Sequence, residues 1–540
     1  MAKKLNIQKL ESLNWINEFL QKHGRLPRIL HIGNIANNAY NNAKLLNESS
    51  LDCDVICYDY YHIMGCPEWE DADFVGSIGD QFFPNWHSLR MNGFQRPQWF
   101  AQGPMKKCIL YLIAKRRNDL KTKDYLWTQL EMRRFLLTCL IGRYVYKSIL
   151  FVKKLKFIQG LLKSWSFIKS QLKRCFINKY TLAYFKRYFI EISKPSKSLF
   201  KGKVEFEEHV EKIIQLFKNK FPDREDQLLT TDLMPYGDII PLWSELFDQY
   251  DIIQGYSTDP ILPLLAGKKY FAFEHGTLRD IPFQSNTQGR ITAIAYSEAQ
   301  HVFVTNSDCL ENAHYLAGDK VSYINHPYDE NHGADISGSQ ELRERLCQQL
   351  NADFLFFFPT RHDWVIGTGY ADKSNDIFLR AFCQLRQLGY KVGMVCCRWG
   401  KNVQDSIYLL KDHQCADYVL WQEPMGTVQF ERTVKACDVV VDQFKLGSFG
   451  GIMFKAMAVG TTICTYLNEA EILEQYQEVP PILNCQTDLQ IVQAIEEVIN
   501  CPDRLRQFSQ SSKQWIGKYH SSKATVQTQL QQYKLLLVSD

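Results

Sequence analysis

At 540 residues the chain is long enough for about two to four domains, and its 45% hydrophobic content is ordinary for a globular protein. The net charge of +4 conceals a segregation: residues 105–203 hold 25 Lys or Arg against four acids, Asp119, Asp124, Glu131 and Glu191, leaving the rest of the chain at −17. Sixteen cysteines are scattered with no CxxC pair, which excludes a disulfide framework and points to reduced thiols in a cytoplasmic protein, with a zinc site as the alternative.

In chain order, an amphipathic helix over 7–22 precedes a strand at Arg28–Gly33. Asn34–Tyr40 is a polar turn, a helix runs through Leu46, and a strand covers Asp54–Asp59. Strand, turn, helix and strand make a βαβ unit. Residues 62–104 read as aromatic and irregular.

The basic stretch follows. Its charges alternate with large apolar residues such as Trp127, Phe135, Ile149 and Phe189, and spacings of three and four recur, as in Ile158, Leu161, Leu162 and Trp165, which predicts several amphipathic helices. Three readings stand. Basic helices with aromatic faces suit an anionic membrane surface, where each base contributes about 1 kcal/mol. They also suit a plain solvated face, or a nucleic-acid surface, although no nucleic-acid motif accompanies the charge. The longest uncharged run, Phe135–Gly142, is far short of a membrane span, and the N-terminus lacks an apolar signal core. A peripheral protein on the inner face of a membrane is expected.

The alternation resumes with helix Phe206–Lys218. Strands are predicted at Asp251–Gln254, Tyr270–Phe273, His301–Thr305 and Val321–Asn325, with helices at Thr258–Leu265 and Asp308–Leu316. Polar residues Glu330–Gln340 read as the interdomain linker. Beyond it, strands at Phe354–Phe358, Lys391–Cys396, Tyr418–Trp421, Val439–Val441 and Thr461–Thr465 alternate with helices 374–388, 403–412, 427–437, 450–459 and 487–500. Such βα repeats predict a doubly wound parallel sheet with ligands at the carboxyl ends of its strands. A helical stretch, 502–535, closes the chain.

Several groups at strand ends carry candidate chemistry. Gly447-Ser448-Phe449-Gly450-Gly451 is a tight turn feeding an apolar helix that Gly460 stops. Such a turn presents free backbone N–H groups and the positive end of a helix dipole. Arg361 follows the strand Phe354–Phe358 and Lys373 opens the next helix, so both cations can converge on one pyrophosphate, the alternative being surface charge at loop ends. His275-Gly276 ends a strand, where an exposed imidazole titrates near neutrality. Gly33-Asn34 forms an amide-rich turn, or an Asn-rich cap. Two Asp-x-Asp pairs, Asp52/Asp54 and Asp71/Asp73, read as chance matches.

This ordered set resembles the GT-B glycosyltransferases, the retaining, family-4-like group, across residues 28–65 and 250–500. The resemblance implies two doubly wound Rossmann-like domains facing a cleft. An N-terminal acceptor-side domain would cover 1–330, including the basic helical insert 100–205. A nucleotide-sugar domain would cover 331–510, and a C-terminal helical segment 511–540. It implies His275, Arg361 and Lys373 as catalytic residues. Donor binding would fall to Gly33, Asn34, Gly276, Glu423, Asp442, Gly447, Ser448, Phe449, Gly450 and Lys455. The two glutamates of the family's donor motif fall here on Gly447 and Lys455. A lysine cannot accept the ribose hydrogen bonds that such a glutamate takes; Asp442 is a candidate replacement acid, and Lys455 a candidate partner for a phosphate or a carboxylated sugar. The implied activity is metal-independent, retaining transfer from a UDP- or GDP-linked sugar to a lipid-linked or cell-envelope glycan. The alternative is a catalytically degenerate GT-B scaffold or partner subunit on a membrane.

Overall fold

Short apolar runs become strands here because both faces of each sheet are covered by helices. In the computed structural model, which describes residues 14–138, 201–334, 336–365 and 372–538, the first half of the chain supplies β1 (Arg28–Ile32), β2 (Asp52–Tyr58), β3 (Phe100–Gly103), β4 (Ile252–Tyr256), β5 (Phe271–Glu274), β6 (His301–Val304) and β7 (Val321–Tyr323). They form one parallel sheet in the order β3-β2-β1-β4-β5-β6-β7. The second half supplies β8 (Phe354–Phe358), β9 (Val392–Cys397), β10 (Val419–Gln422), β11 (Val439–Val441), β12 (Thr462–Thr465) and β13 (Leu483–Asn484). These form a second parallel sheet, β10-β9-β8-β11-β12-β13. In both sheets the strand order reverses beside the first strand, the switch point where an open α/β sheet leaves a crevice at its carboxyl edge. The two doubly wound lobes expected from the sequence are present.

The predicted strands recur within two residues at each end. Four departures from the sequence reading matter most for the architecture. Strand β3 arises inside the stretch read as irregular, because register with Val55–Tyr58 orders it on the sheet edge. Helix Ser339–Leu350 begins inside the expected linker; its sequence is polar, and only Leu346 and Leu350 are buried. Helix Met105–Arg116, the first part of the basic stretch, is a core crossover. Cys108, Ile109, Tyr111 and Leu112 are fully buried, and the Arg116 and Lys115 side chains pair with Asp54 at 2.5 Å each. The Asp52-Cys-Asp54 pair is thereby used to neutralise these bases, and Arg116 also bonds Asp52. Most of the predicted amphipathic insert, residues 139–200, lies outside the described residues, as does the start of the helix read at 7–22.

The fourth departure concerns the end of the chain. Helix Pro502–Tyr519 packs on the second lobe through Trp515 and Ile516, and helix Ser522–Val538 then returns to the first lobe. Tyr533 is buried against Phe271, with ring centroids 5.1 Å apart, and its hydroxyl donates to Gln254 at 2.7 Å. Gln529 donates to Asn42 at 2.9 Å. Val526, Leu530 and Tyr533 thus complete the core of one face of the first sheet. No described helix is long and apolar enough to cross a membrane.

Candidate active site

The carboxyl ends of β8 and β11 lie side by side, and the loops leaving them build the corner of the site. After β8 the chain turns through Thr360, Arg361, His362 and Asp363. This turn is fixed from below: the His362 amide donates to the Trp399 carbonyl at 2.7 Å, and the Lys373 amide donates to the Asp363 carbonyl at 2.7 Å. His362 itself is buried, its pKa pushed down to about 4 by burial, with Nδ1 on Ser406 Oγ at 2.9 Å. The imidazole therefore acts as a neutral brace, while the Arg361 side chain beside it is 47% exposed and nearest to the Asp363 carboxylate, at 3.8 Å.

After β11 come Asp442 and Gln443. Asp442 is buried and accepts a hydrogen bond from Thr360 Oγ1 at 3.0 Å; burial raises its pKa and Lys373 opposes that rise. Gln443 joins the two halves of the corner. Its Oε1 accepts from Lys373 Nζ at 2.5 Å, its Nε2 donates to the Ser448 carbonyl at 3.1 Å, and its own carbonyl receives the Tyr466 amide at 3.0 Å. The sequence placed Gln443 at this strand end without a role; tertiary contacts make it the strut between the Lys373 ammonium and the glycine turn.

The turn has the geometry its glycines require. Gly447 has φ +72°, a left-handed conformation costly for residues with a side chain, and its carbonyl accepts from the Asn468 amide at 2.8 Å. Gly450 precedes helix Gly451–Val459, and a β-carbon there would collide with Asp442 Oδ2. No side chain caps that helix; the Met453 amide turns back to the Gly450 carbonyl at 3.1 Å, so the N–H groups ahead of it are the ones available. Next to them the Ser448 hydroxyl is buried with no hydrogen-bond partner among the described residues. Phe449 turns the other way, into a ring cluster with Phe454, Tyr476 and Trp515, and offers the cleft nothing but backbone.

The first lobe contributes from the end of β5. The Gly276 amide donates to the Glu274 carboxylate, which is fully buried. His275 is half-buried, with Nε2 lacking a partner among the described residues. Burial pushes its pKa below the usual histidine range and Glu274 opposes the shift. The expectation of an exposed ring titrating near neutrality is corrected: the ring is neutral at pH 7. Arg279, one helical turn on, is paired with Asp308 at 2.5 Å.

These groups from the two lobes sense one another. Burial lowers the Lys373 pKa, and the positive charges of Arg361 and Arg279 press it the same way while Asp442 and Asp363 oppose them. His326, in the segment after β7, has its pKa pushed down to about 4 by burial, with His275 and Arg279 adding to the effect. Lys373, tied through Gln443 to the glycine turn, therefore stands beside an uncapped helix terminus, with Arg361 on the neighbouring loop. That is the electrostatic and hydrogen-bonding environment of a polyanion such as a diphosphate.

Other residues singled out in the sequence stand apart from this corner. Gly33 ends β1, its amide donating to Ile56 at 2.9 Å. Asn34 is buried and consumed structurally: its side chain donates to Asn37 at 2.9 Å and to the Gly65 carbonyl at 3.1 Å, and it accepts from the Tyr40 amide at 3.0 Å. Glu423 is exposed after β10. Lys455 does not reach the helix terminus; its ammonium is held by Glu70 of the first lobe at 2.6 Å and by Thr427 Oγ1 at 2.7 Å. The idea that Lys455 meets a phosphate is corrected on that ground. Asp71 and Asp73 pair with Lys44 at 2.9 Å and Arg432 at 2.8 Å. Among the described residues no group of three or more His, Cys, Asp or Glu could hold a metal ion.

No family model matches the chain, and no curated protein matches it in sequence. Among solved structures it is similar to Anabaena HepE in complex with UDP, at 15% identity over 55% of this chain and 82% of that one, with a TM-score of 0.44. It is also similar to a glycosyltransferase from Rickettsia africae, at 11% identity over 64% and 97% of the two chains, TM-score 0.44. Sucrose-phosphate synthase from Thermosynechococcus elongatus gives 14% identity, 56% and 79% coverage and a TM-score of 0.41. In its own right, the chain has the GT-B arrangement: two doubly wound parallel sheets with a last helix returning to the first lobe.

Proposed function

We propose that this chain is a glycosyltransferase that moves a sugar from a UDP- or GDP-linked donor to a lipid-linked or cell-envelope glycan, retaining configuration and using no metal. The observation that carries the reading is the tie of Lys373 through Gln443 to the turn before the uncapped Gly451–Val459 helix, beside the unpartnered Ser448 hydroxyl and the Arg361 loop. In this reading the donor diphosphate lies against those groups. Arg361 supplies a planar guanidinium fork and Lys373 a point charge, both stabilising negative charge as the nucleoside diphosphate departs. His275, neutral and with a free ring nitrogen, faces the reacting sugar and orients it by a hydrogen bond. Closure of the lobes excludes water. Beyond its core helix Met105–Arg116, the basic stretch, residues 117–203, brings the enzyme to an anionic membrane surface, where the acceptor resides.

A thermal-shift panel of UDP, GDP, ADP and CMP tests the donor assignment. A cognate nucleotide at one hundred times its dissociation constant adds about 2.7 kcal/mol of stability, so one member of the panel is expected to raise the melting temperature clearly. If none does, the second reading holds: a degenerate GT-B scaffold, which the engagement of Lys455 by Glu70 favours. Sedimentation with anionic liposomes tests the membrane assignment. Binding that disappears when residues 139–200 are deleted is expected, and no binding by the full chain would end it.

A further inference from the structure

The segment after β2 contains a helix, Pro67–Asp71, that belongs to the first lobe by sequence and packs on helix Thr427–Ala436 of the second. Its contact with the second lobe carries several ion pairs. Glu70 holds Lys455 at 2.6 Å, and the two side chains are only 8% and 23% exposed. Asp73 takes both guanidinium nitrogens of Arg432, at 2.8 and 3.1 Å. His332, in the connection between lobes, lies 2.8 Å from Glu431 and 3.5 Å from Asp71. Tyr328 donates to Glu431 at 2.6 Å, and Gln429 donates to the Phe74 carbonyl. Close packing seals the contact: a β-carbon on Gly426 would meet the Phe74 ring and the Trp69 carbonyl, and Trp399 of the second lobe packs against the apolar cluster around Trp69, Phe74 and Trp86.

We propose that this network is a latch that holds the two lobes closed beside the glycine turn, and that its release is the step that admits the donor. The proposal rests on the nucleotide-sugar reading above. Three physical points support it. Charged pairs shielded from water gain little over their hydration, so such a contact can be exchanged for an open state in which both charges are solvated. Lys455 also lies on the helix whose first turn forms the anion site, so the latch and the donor contacts share one rigid element. Finally, every ion pair in the set except those of the connecting His332 bridges the lobes directly, which is how a hinge closure is held at a few points.

Glu70→Gln and Arg432→Gln, each made in the full chain, test the idea by two readouts. In small-angle scattering without ligand, each variant is expected to have a larger radius of gyration than the parent. In stopped-flow binding with UDP as probe, each is expected to raise the association rate about tenfold. The exchanged pair Glu70→Lys with Lys455→Glu is expected to return both quantities toward parental values, which a general loss of packing would not do. Unchanged dimensions and unchanged UDP association in both single variants would overturn the latch. If UDP binds neither parent nor variants, the donor reading fails by itself; scattering then still decides the latch, a larger radius sustaining it and an unchanged one overturning it.

Discussion

At the first turn of helix Gly451–Val459 the backbone N–H groups are uncapped and the Ser448 hydroxyl lacks a partner among the described residues, whereas one turn further on the Lys455 ammonium has two partners at 2.6 and 2.7 Å. Both ends lie at the boundary between the lobes. The difference is between groups left waiting and groups already satisfied. A buried donor without an acceptor costs about 1–3 kcal/mol, and a protein that tolerates several in one corner gains by presenting them to something else. A buried cation held by a carboxylate from the opposite lobe does the reverse, since it gives the fold a contact and leaves a ligand nothing to bind.

That contrast can be broken at either end. Arg361→Ala and Lys373→Ala are expected to have the largest effect, a loss of about 10²-fold in transfer rate, with little change in melting temperature for the exposed Arg361; parental UDP binding by calorimetry in both variants would remove the diphosphate from this corner. Gly450→Ala comes next. Its β-carbon would collide with Asp442 Oδ2, so a loss of about 1–3 kcal/mol in urea denaturation is expected, together with weaker UDP binding.

The satisfied end should respond to pH. Burial alone would lower the His332 pKa, but hydrogen bonds to Asp71 and Glu431 outweigh it and lift the value to about 9. A raised histidine pKa stabilises the fold fully below its unfolded value of about 6.5, and that stability is lost as pH climbs from there through about 9. The urea midpoint is therefore expected to decline over that window in the parent and to decline less in His332→Gln; parallel profiles would contradict the ionic clasp. The smallest effect is the sharpest. Ser448→Ala should leave stability within about 0.5 kcal/mol while weakening nucleotide binding by about 0.5–1.5 kcal/mol. If stability falls and binding does not, the hydroxyl is structural.

Much of the architecture was legible because each element carries its own signal. The phenylalanine-rich run Phe354–Phe358 and the valine run Val439–Val441 can be little else than strands buried on both faces, and Gly447–Gly460 announces a turn, a helix and its stop. The elements that escaped lack such a signal. Strand β3 is four residues long and is ordered by its neighbour's register. Helix Ser339–Leu350 has only two buried apolar residues and reads as polar linker. Helix Met105–Arg116 shares its basic composition with the residues after it, yet its Lys115 and Arg116 are spent on Asp52 and Asp54 of β2, some 60 residues earlier.

The site divides the same way. Local sequence determined that Arg361, His275 and the glycine turn would each follow a strand and that Lys373 would open a helix, because alternation and turn chemistry are properties of a few neighbouring residues. Only the tertiary structure decided that Gln443 would tie Lys373 to that turn and that burial would hold His275 neutral. It also decided that the last helix would complete the first lobe and that Lys455 would be claimed by Glu70, 385 positions away. Those outcomes depend on desolvation and on partners distant in sequence, and neither quantity exists until the two sheets have been brought together.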